Sequence, residues 1–372
     1  MNQSKVYFTN LRTSNEVNLV NKMEKVAVAA GLKKIPLKDK LVALKVHFGE
    51  PGNLSFLRHN YTARLSQIVS ASEGKPFVTD ANTLYKGERS NAYDHLKAAE
   101  QNGYTSVTVG CPVLIADGLR GHDHREIPIN LKHFDKAFIA SGIAEADVVI
   151  SINHFKGHGA MGFGGAIKNL GMGCASRDGK NRMHSSTPPT IKRENCVGCN
   201  ECVTHCAYNA ITLDGQNKAV INKETCVGCG QCVSTCAFDA AQVTWQHGGN
   251  DLAERVAEYA LASVQGKDQL HISFILEVSP LCDCVDHNDI PIVSNIGILA
   301  STDCVALDMA CVDLVNAAPI SPDSCLAEHI DANGGRGLDK FTLLHPKGGW
   351  RQGIEYAEKI GLGSTNYELI TL

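Results

Sequence analysis

No stretch of the chain reaches the roughly 20 consecutive apolar residues that a membrane-crossing helix needs. The start, Met1-Asn-Gln-Ser-Lys-Val-Tyr-Phe, holds neither the apolar core of a leader nor a twin arginine, and reads directly as a strand. The expectation is a soluble, cytoplasmic protein with no membrane partner. A basic excess is also missing. With 35 Lys and Arg against 39 Asp and Glu, the net charge of -4 provides no positive field to hold nucleic acid. No low-complexity tract occurs. Among nucleotide signatures no Walker A loop is present, so ATP is not implied. No flavin motif is visible, but flavin sites have no single readable signature, and a flavin stays open.

What the chain does have is length and sulfur. Its 372 residues, 44% of them hydrophobic, suffice for one large or two medium cores. Fifteen cysteines without an export signal point to metal ligation rather than to disulfides, because a reducing cytosol keeps thiols free. Apolar β-branched runs at Val6-Tyr-Phe, Leu41 to Phe48, Phe77-Val-Thr, Ser106-Val-Thr-Val and Asp147 to Ile152 read as strands. Stretches near 16–31, 60–72, 89–102 and 133–145 read as helices, giving an α/β domain with a mostly parallel sheet. The pattern stops at Thr187-Pro-Pro and resumes after His247-Gly-Gly-Asn, with helices near 251–265, 303–317 and 350–360 and a strand near 270–278. The expected organisation is a discontinuous α/β domain, 1–187 and 247–372, with a small α+β insert at 188–246.

The insert holds an internal repeat. Cys196, Cys199, Cys202 and Cys206 recur thirty positions on as Cys226, Cys229, Cys232 and Cys236, within near-identical surroundings. A C-x2-C-x2-C loop places three thiolates on corners of a cubane and leaves the fourth ligand to come from elsewhere. Gly198 and Gly228 sit where a Cβ would crowd an inorganic core. Zinc sites generally pair two half-sites and fit eight cysteines in this doubled register poorly.

Over 188–245 the chain resembles the bacterial two-cluster ferredoxins, in which the fourth cysteine of each run serves the other cluster. That resemblance implies two [4Fe-4S] clusters, one on Cys196, Cys199, Cys202 and Cys236 and one on Cys226, Cys229, Cys232 and Cys206. It also implies single-electron transfer at low potential. Ala207 and Ala237 stand where such runs carry Pro, which leaves chain path and potential less determined but the ligands in place.

Outside the insert the richest stretch runs from Asp147 to Gly173. A buried strand enters a loop with His154, Lys156 and His158, then Gly162, Gly164 and Gly165, then a helix start with Lys168 and Asn169. Ligands of open α/β sheets sit at strand carboxyl ends, where helix N-termini offer free N–H groups to anions. The expected substrate is therefore anionic or carbonyl-bearing. His158 is the candidate proton donor, and Lys156 and Lys168 would stabilise developing negative charge. A glycine-rich tight turn flanked by solvated lysines is the plainer alternative. By the same strand-end logic Lys45, His47, Glu50, Asp80 and Asn82 are candidate substrate-side residues. A second sulfur group, Cys282 and Cys284 with Asp286, His287 and Asp289, leaves three readings open: a further metal, a redox pair, or cysteines beside a substrate. Cys304 and Cys311, on an otherwise apolar helix, read as core.

His154-Phe-Lys-Gly-His-Gly through Gly165-Ala-Ile-Lys-Asn-Leu-Gly, Thr79-Asp-Ala-Asn, Cys282-Asp-Cys and Ile296 to Asp308 resemble the DUF362 domain family, in its subgroup with an inserted ferredoxin. The resemblance covers nearly the whole chain and implies an α/β domain around the clusters and a role in anaerobic or low-potential metabolism. It implies no reaction. The leading expectation is an iron-sulfur reductase that takes electrons from a ferredoxin- or flavodoxin-type donor and passes them to a small substrate. The alternatives are an electron-transfer protein docking a partner redox enzyme, and an iron-sulfur sensor or maturation protein. The insert carries four Lys and Arg against five Asp and Glu, which gives little steering toward many partners and favours delivery within the chain.

Overall fold

The computed structural model describes residues 3–85, 87–184, 188–206, 208–226, 231–242, 249–335 and 337–372. Cys229 and Gly228, both singled out above, lie outside the described residues. Eight strands form the central sheet: β1 (Ser4–Asn10), β2 (Leu41–Val46), β3 (Lys75–Asp80), β4 (Val113–Ile115), β5 (Val148–His154), β6 (Asp268–Ile275), β7 (Gly297–Ser301) and β8 (Tyr367–Thr371). Their order is β8-β1-β7-β6-β5-β2-β3-β4. All neighbours are parallel except β7, which runs antiparallel to both β1 and β6. The fold is thus α/β with a mostly parallel sheet.

The central strands are buried on both faces, which is why they read as continuous apolar runs. Val42, Leu44, Val148, Ile150, Leu270 and Ile272 pack into one core; Ala43, Val149 and Leu299 point into the other. The second face also carries a buried polar row. Ser151 Oγ lies 2.8 Å from His271 Nδ1, and Asn153 Nδ2 donates to Ser151 Oγ at 3.1 Å. Lys45 and Thr79 continue that row without any exposure.

The helices that matter for the site are α1 (Ala166–Cys174), α2 (Arg177–His184), α3 (Gln231–Thr235), α4 (Gly249–Val264) and α5 (Cys304–Ala317). Most other expected elements are present within a few residues. Two are not. Ser106–Val109 is one helical turn, opened by a Thr105–Thr108 capping box, and the strand follows at Val113. Residues 133–145 form a strand, Lys136–Ala140, paired antiparallel with His124–Pro128, and then one helical turn. β-branching in the first case outweighed nothing against a Thr cap; in the second the apolar spacing fits either period over so short a run.

Residues 190–242 carry their own small core of Cys196, Ile211, Ala219, Cys232, Ala240 and Ala241. Two short ladders close it, 190–191 against 241–242 and 211–213 against 219–221. The repeat is visible in three dimensions: the Ala210 and Ala240 amides donate to Cys206 and Cys236 Sγ, each at 3.3 Å. Among the described residues no helix is long and apolar enough to cross a membrane.

Candidate functional site

Strand order reverses between β2 and β5, since β2, β3 and β4 proceed to one side and β5 and β6 to the other. Such a switch point opens a crevice at the strand carboxyl ends. Asn169 of α1 spans it, its amide approaching the Lys45 carbonyl on β2 and the Ile152 carbonyl on β5, both at 3.3 Å. Above lies a cleft whose lining includes His47, Asp80, Lys156, His158, Lys168, Asn169 and Cys284. Seven residues singled out from scattered sequence positions therefore meet in one place.

Lys45, Glu50, Asn82 and Cys282 are not part of that lining. Lys45 lies beneath it. Fully buried, it holds Asp80 Oδ1 at 2.9 Å and Asn169 Oδ1 at 2.7 Å, and so acts as a strut beneath the floor. Burial alone would raise the Asp80 carboxyl, but the Lys45 ammonium and His95 outweigh it and hold the group well below its ordinary range. Arg89 stands beside it, 3.6 Å from Asp80 Oδ2 and 2.7 Å from Glu50 Oε2, with its other arm donating to Tyr85 Oη. Asn82 faces away, toward Asp117.

The far wall is built by the loop after β6. Asp283, fully buried, accepts from His154 Nδ1 at 2.9 Å and pairs with Lys156 Nζ at 3.1 Å; His154 Nε2 meets the Leu276 carbonyl at 2.7 Å. Burial opposes its charge, yet His154 and Lys156 together keep Asp283 below the carboxylate range. Next to it Lys168 Nζ lies 3.0 Å from Cys282 Sγ. The Cys282 thiol is lowered by its contact with Cys284, against burial, and further by Lys168; Cys284 is raised by that same contact and by burial. Within the pair, Cys282 is thus the more acidic thiol and the one that faces the Lys168 ammonium.

Three findings depart from the sequence expectations. First, the free helix N-terminus is not free. Asp308 of α5, its carboxyl raised by burial to about 7 against the pull of two amides, accepts from the Ala166 and Ile167 N–H groups at 2.7 and 2.9 Å, so the protein's own carboxyl group occupies the anion position. Gly165 permits this approach: a Cβ there would stand 2.3 Å from Asp308 Oδ1. Second, the stretch after His154 is an antiparallel ribbon, Lys156–His158 against Gly162–Gly164, rather than a plain loop. Third, the surroundings of His158 favour its neutral form. Burial lowers its pKa well below the ordinary value, and Lys168 and Lys156 add to the effect.

A protonated group of suitable acidity stands on α2 instead. Lys180 lines the cleft, fully desolvated, and burial lowers it to about 8 against the opposing pull of Asp117. Sequence reasoning missed Lys180, Arg89 and Asp283. A lysine and an aspartate each in a polar run carry no spacing signal, and Arg89 is marked only by its place two turns beyond a strand end.

Four cysteines of residues 190–242 also converge. Cys196, Cys199, Cys202 and Cys236 line one cavity, with Ala219 donating to Cys196 Sγ at 3.3 Å. Cys226, Cys206 and Cys232 are described, with Cys232 buried and the other two partly so. A second cleft lies between this unit and the α/β domain, lined by Val233, Cys236 and Asp239 on one side and Leu84, Leu119 and Arg177 on the other. Leu84 lines the first cleft too. α2 and α3 pack together at this boundary.

Cys304 and Cys311 are buried in the core, as expected.

No curated protein matches the chain in sequence. Solved structures that resemble it include the lactate racemase apoprotein of Thermoanaerobacterium thermosaccharolyticum, at 10% identity and a TM-score of 0.38, covering 74% of this chain and 51% of that one. A Thermotoga maritima protein follows at 9% identity and a TM-score of 0.32, covering 71% and 52%. The chain spans about half the length of these structures. The family model described as a domain of unknown function, DUF362, matches residues 42–313, and the chain belongs to the DUF362 family.

Proposed function

We propose that the protein is an iron-sulfur oxidoreductase that reduces a small anionic or carbonyl-bearing substrate in the cleft at the β2/β5 switch point. In this reading residues 188–246 are an inserted ferredoxin-like domain within an α/β domain of 1–187 and 247–372. Cys196, Cys199, Cys202 and Cys236 hold one [4Fe-4S] cluster; Cys226, Cys229, Cys232 and Cys206 hold the other. The donor set fits: four thiols line one cavity, and backbone amides already point at Cys196, Cys206 and Cys236 sulfurs. Bound there, the clusters supply single electrons at low potential.

The observation that carries the reading is a shared wall. Cys236 lines both the thiol cavity and the cleft between the two units, and Leu84 lines that cleft and the substrate cleft. α2 presents Arg177 to one side and Lys180 to the other. The chain's own residues then have distinct tasks. Lys156, Lys168 and Arg89 hold an anionic oxygen, Lys180 gives up a proton at a pH near 8, and Met161, Met172 and Leu252 keep water from the reacting atoms. The electron source is a soluble low-potential carrier of ferredoxin or flavodoxin type, in the cytoplasm.

Anaerobic purification with iron and sulfide analysis tests the ligand assignment: about eight of each per chain are expected for two such clusters. Dithionite-reduced protein is then mixed with panels of carboxylates, phosphates and carbonyl compounds, and cluster reoxidation is followed by absorbance. Substrate-dependent reoxidation, lost in Lys168→Ala with iron content unchanged, is the expected result. Reoxidation that no small molecule accelerates, together with an unaffected Lys168→Ala, refutes the reductase reading. Capture of a stoichiometric redox enzyme with electron flow through the complex would replace it by the electron-carrier alternative.

A further inference from the structure

The cleft contains a second constellation of metal-type ligands, outside the insert. We infer that His158, Cys282 and Cys284 bind a single divalent transition-metal ion of the zinc or cobalt class, with the fourth coordination position open to the cleft. One ligand atom from each residue lies within 4.8 Å of the other two. In a tetrahedral site with metal–sulfur bonds of about 2.3 Å and metal–nitrogen bonds of about 2.0 Å, ligand atoms stand roughly 3.5 to 3.8 Å apart. The three ligand atoms thus already stand close to the spacing that a tetrahedral ion requires.

Their backbones are already fastened together. His158 ends the ribbon Lys156–His158, and the two cysteines lie on the loop after β6. The Gly157 amide, next to His158, donates to the Ser279 carbonyl at 2.8 Å. A Cβ at Gly157 would meet the Pro280 carbonyl oxygen at 2.2 Å, so only glycine lets ribbon and loop approach this closely. Asp283, between the two cysteines, is clamped by His154 and Lys156, which fixes the turn that presents both sulfurs on one side. A C-x-C pair has too little reach to enclose an ion, and the imidazole from the ribbon supplies the ligand the pair lacks.

The donor set is soft, two sulfurs and one nitrogen, which favours zinc, cobalt or iron(II) over magnesium or calcium. Two thiolates balance a dication, and the site as a whole adds no charge. Lys168, 3.0 Å from Cys282 Sγ, then keeps its positive charge for whatever enters the open position. An anionic oxygen, from a carboxylate or a phosphate, satisfies the ion and Lys168 together. This deepens the proposed reduction by placing a Lewis acid at the substrate, and it rests on that reading only for the substrate; the metal site is testable by itself.

The test uses the full chain with its iron in place. Metals are measured as purified and after anaerobic loading with cobalt(II) chloride and gel filtration. About one non-cluster metal per chain is expected, and cobalt K-edge X-ray absorption should give a shell with two sulfurs near 2.3 Å and nitrogen or oxygen near 2.0 Å. Cys282→Ser, Cys284→Ser and His158→Ala should each weaken cobalt retention at least tenfold. Cys199→Ser should lower iron and leave cobalt bound. Absence of a non-cluster metal, its full retention in Cys282→Ser/Cys284→Ser, or a wild-type shell of light atoms only overturns the inference, the last without reliance on any variant. Failure here with a normal iron count leaves the reductase reading standing; a bound cobalt in protein lacking cluster iron does the reverse.

Discussion

Replacing Asp80 by Asn removes one negative charge from the floor of the cleft and changes almost nothing in shape. In the folded chain that charge faces Lys45 Nζ at 2.9 Å and Arg89 Nη1 at 3.6 Å, with no solvent on either cation. Lys45 then keeps only neutral acceptors, Asn169 Oδ1 and the carboxamide oxygen of the substituted side chain. Breaking a buried pair from one side costs about 3–5 kcal/mol, because the partner is left charged and desolvated. For 372 residues the unfolding entropy is roughly 0.8 kcal/mol per kelvin, so the melting temperature of Asp80→Asn should fall by about 4–6 °C at pH 7. The folded Asp80 carboxyl lies well below its unfolded value. Its stabilisation is therefore complete above the unfolded pKa, about 4, and disappears as pH drops through the folded one. The gap between wild type and Asp80→Asn should hold from pH 7 to about 5 and narrow at more acidic pH. Urea unfolding at several pH values, with calorimetry at pH 7, measures it. Glu126→Gln serves as control, since its partner Lys136 is half exposed and such pairs are worth under about 1 kcal/mol. Lys45→Met/Asp80→Leu, which removes both charges, should regain most of the loss. An Asp80→Asn variant no less stable than Glu126→Gln, or a gap that widens on acidification, would refute the account of the floor.

Lys180→Met should stabilise the fold: burial lowers Lys180 to about 8, so keeping it charged at pH 7 costs on the order of 2–3 kcal/mol. The gain should fade as pH rises from about 8 toward 10.5, where the wild-type lysine is neutral in both states, and substrate-dependent reoxidation should be lost; a destabilised Lys180→Met contradicts this. Asp308→Ala should free the Ala166 and Ile167 amides and cost about 2–4 kcal/mol, read as faster hydrogen exchange at those two positions. Gly165→Ala drives a Cβ against the same carboxyl group, so its effect should overlap with that of Asp308→Ala and the double variant should fall short of the sum. Full additivity would show that the two act separately.

Much of the α/β frame was legible because its strands are buried on both faces and are bounded by clear helical periods. β7 escaped notice: Gly297–Ser301 is a short apolar run, and only pairing with β1 and β6 reveals its antiparallel direction. Lys156, His158 and Lys168 could be found because they follow a strand end among glycines. Their company could not. Lys180 lines the cleft from a helix, and Asp283 holds Lys156 from a loop more than a hundred residues away, and nothing local in either segment announces a shared site. The helix start at Gly165 illustrates a different limit. Its amides were read as free to meet an anionic ligand, but the group they meet is Asp308, contributed by a helix far along the chain.

That carboxyl group bears on selectivity. A helix N-terminus recognises an anion by direction, through amides fixed in one fan, and here those amides are already taken. In the proposed reading, negative charge entering the cleft meets lysine ammonium groups, compact point charges on flexible stems that accept planar and tetrahedral oxyanions alike, while the fork of the neighbouring Arg89 is already engaged by Glu50 and Tyr85. A cleft built this way sorts ligands by charge and size rather than by the geometry of the acidic group. Carboxylates and phosphates of equal charge should therefore compete for it on similar terms.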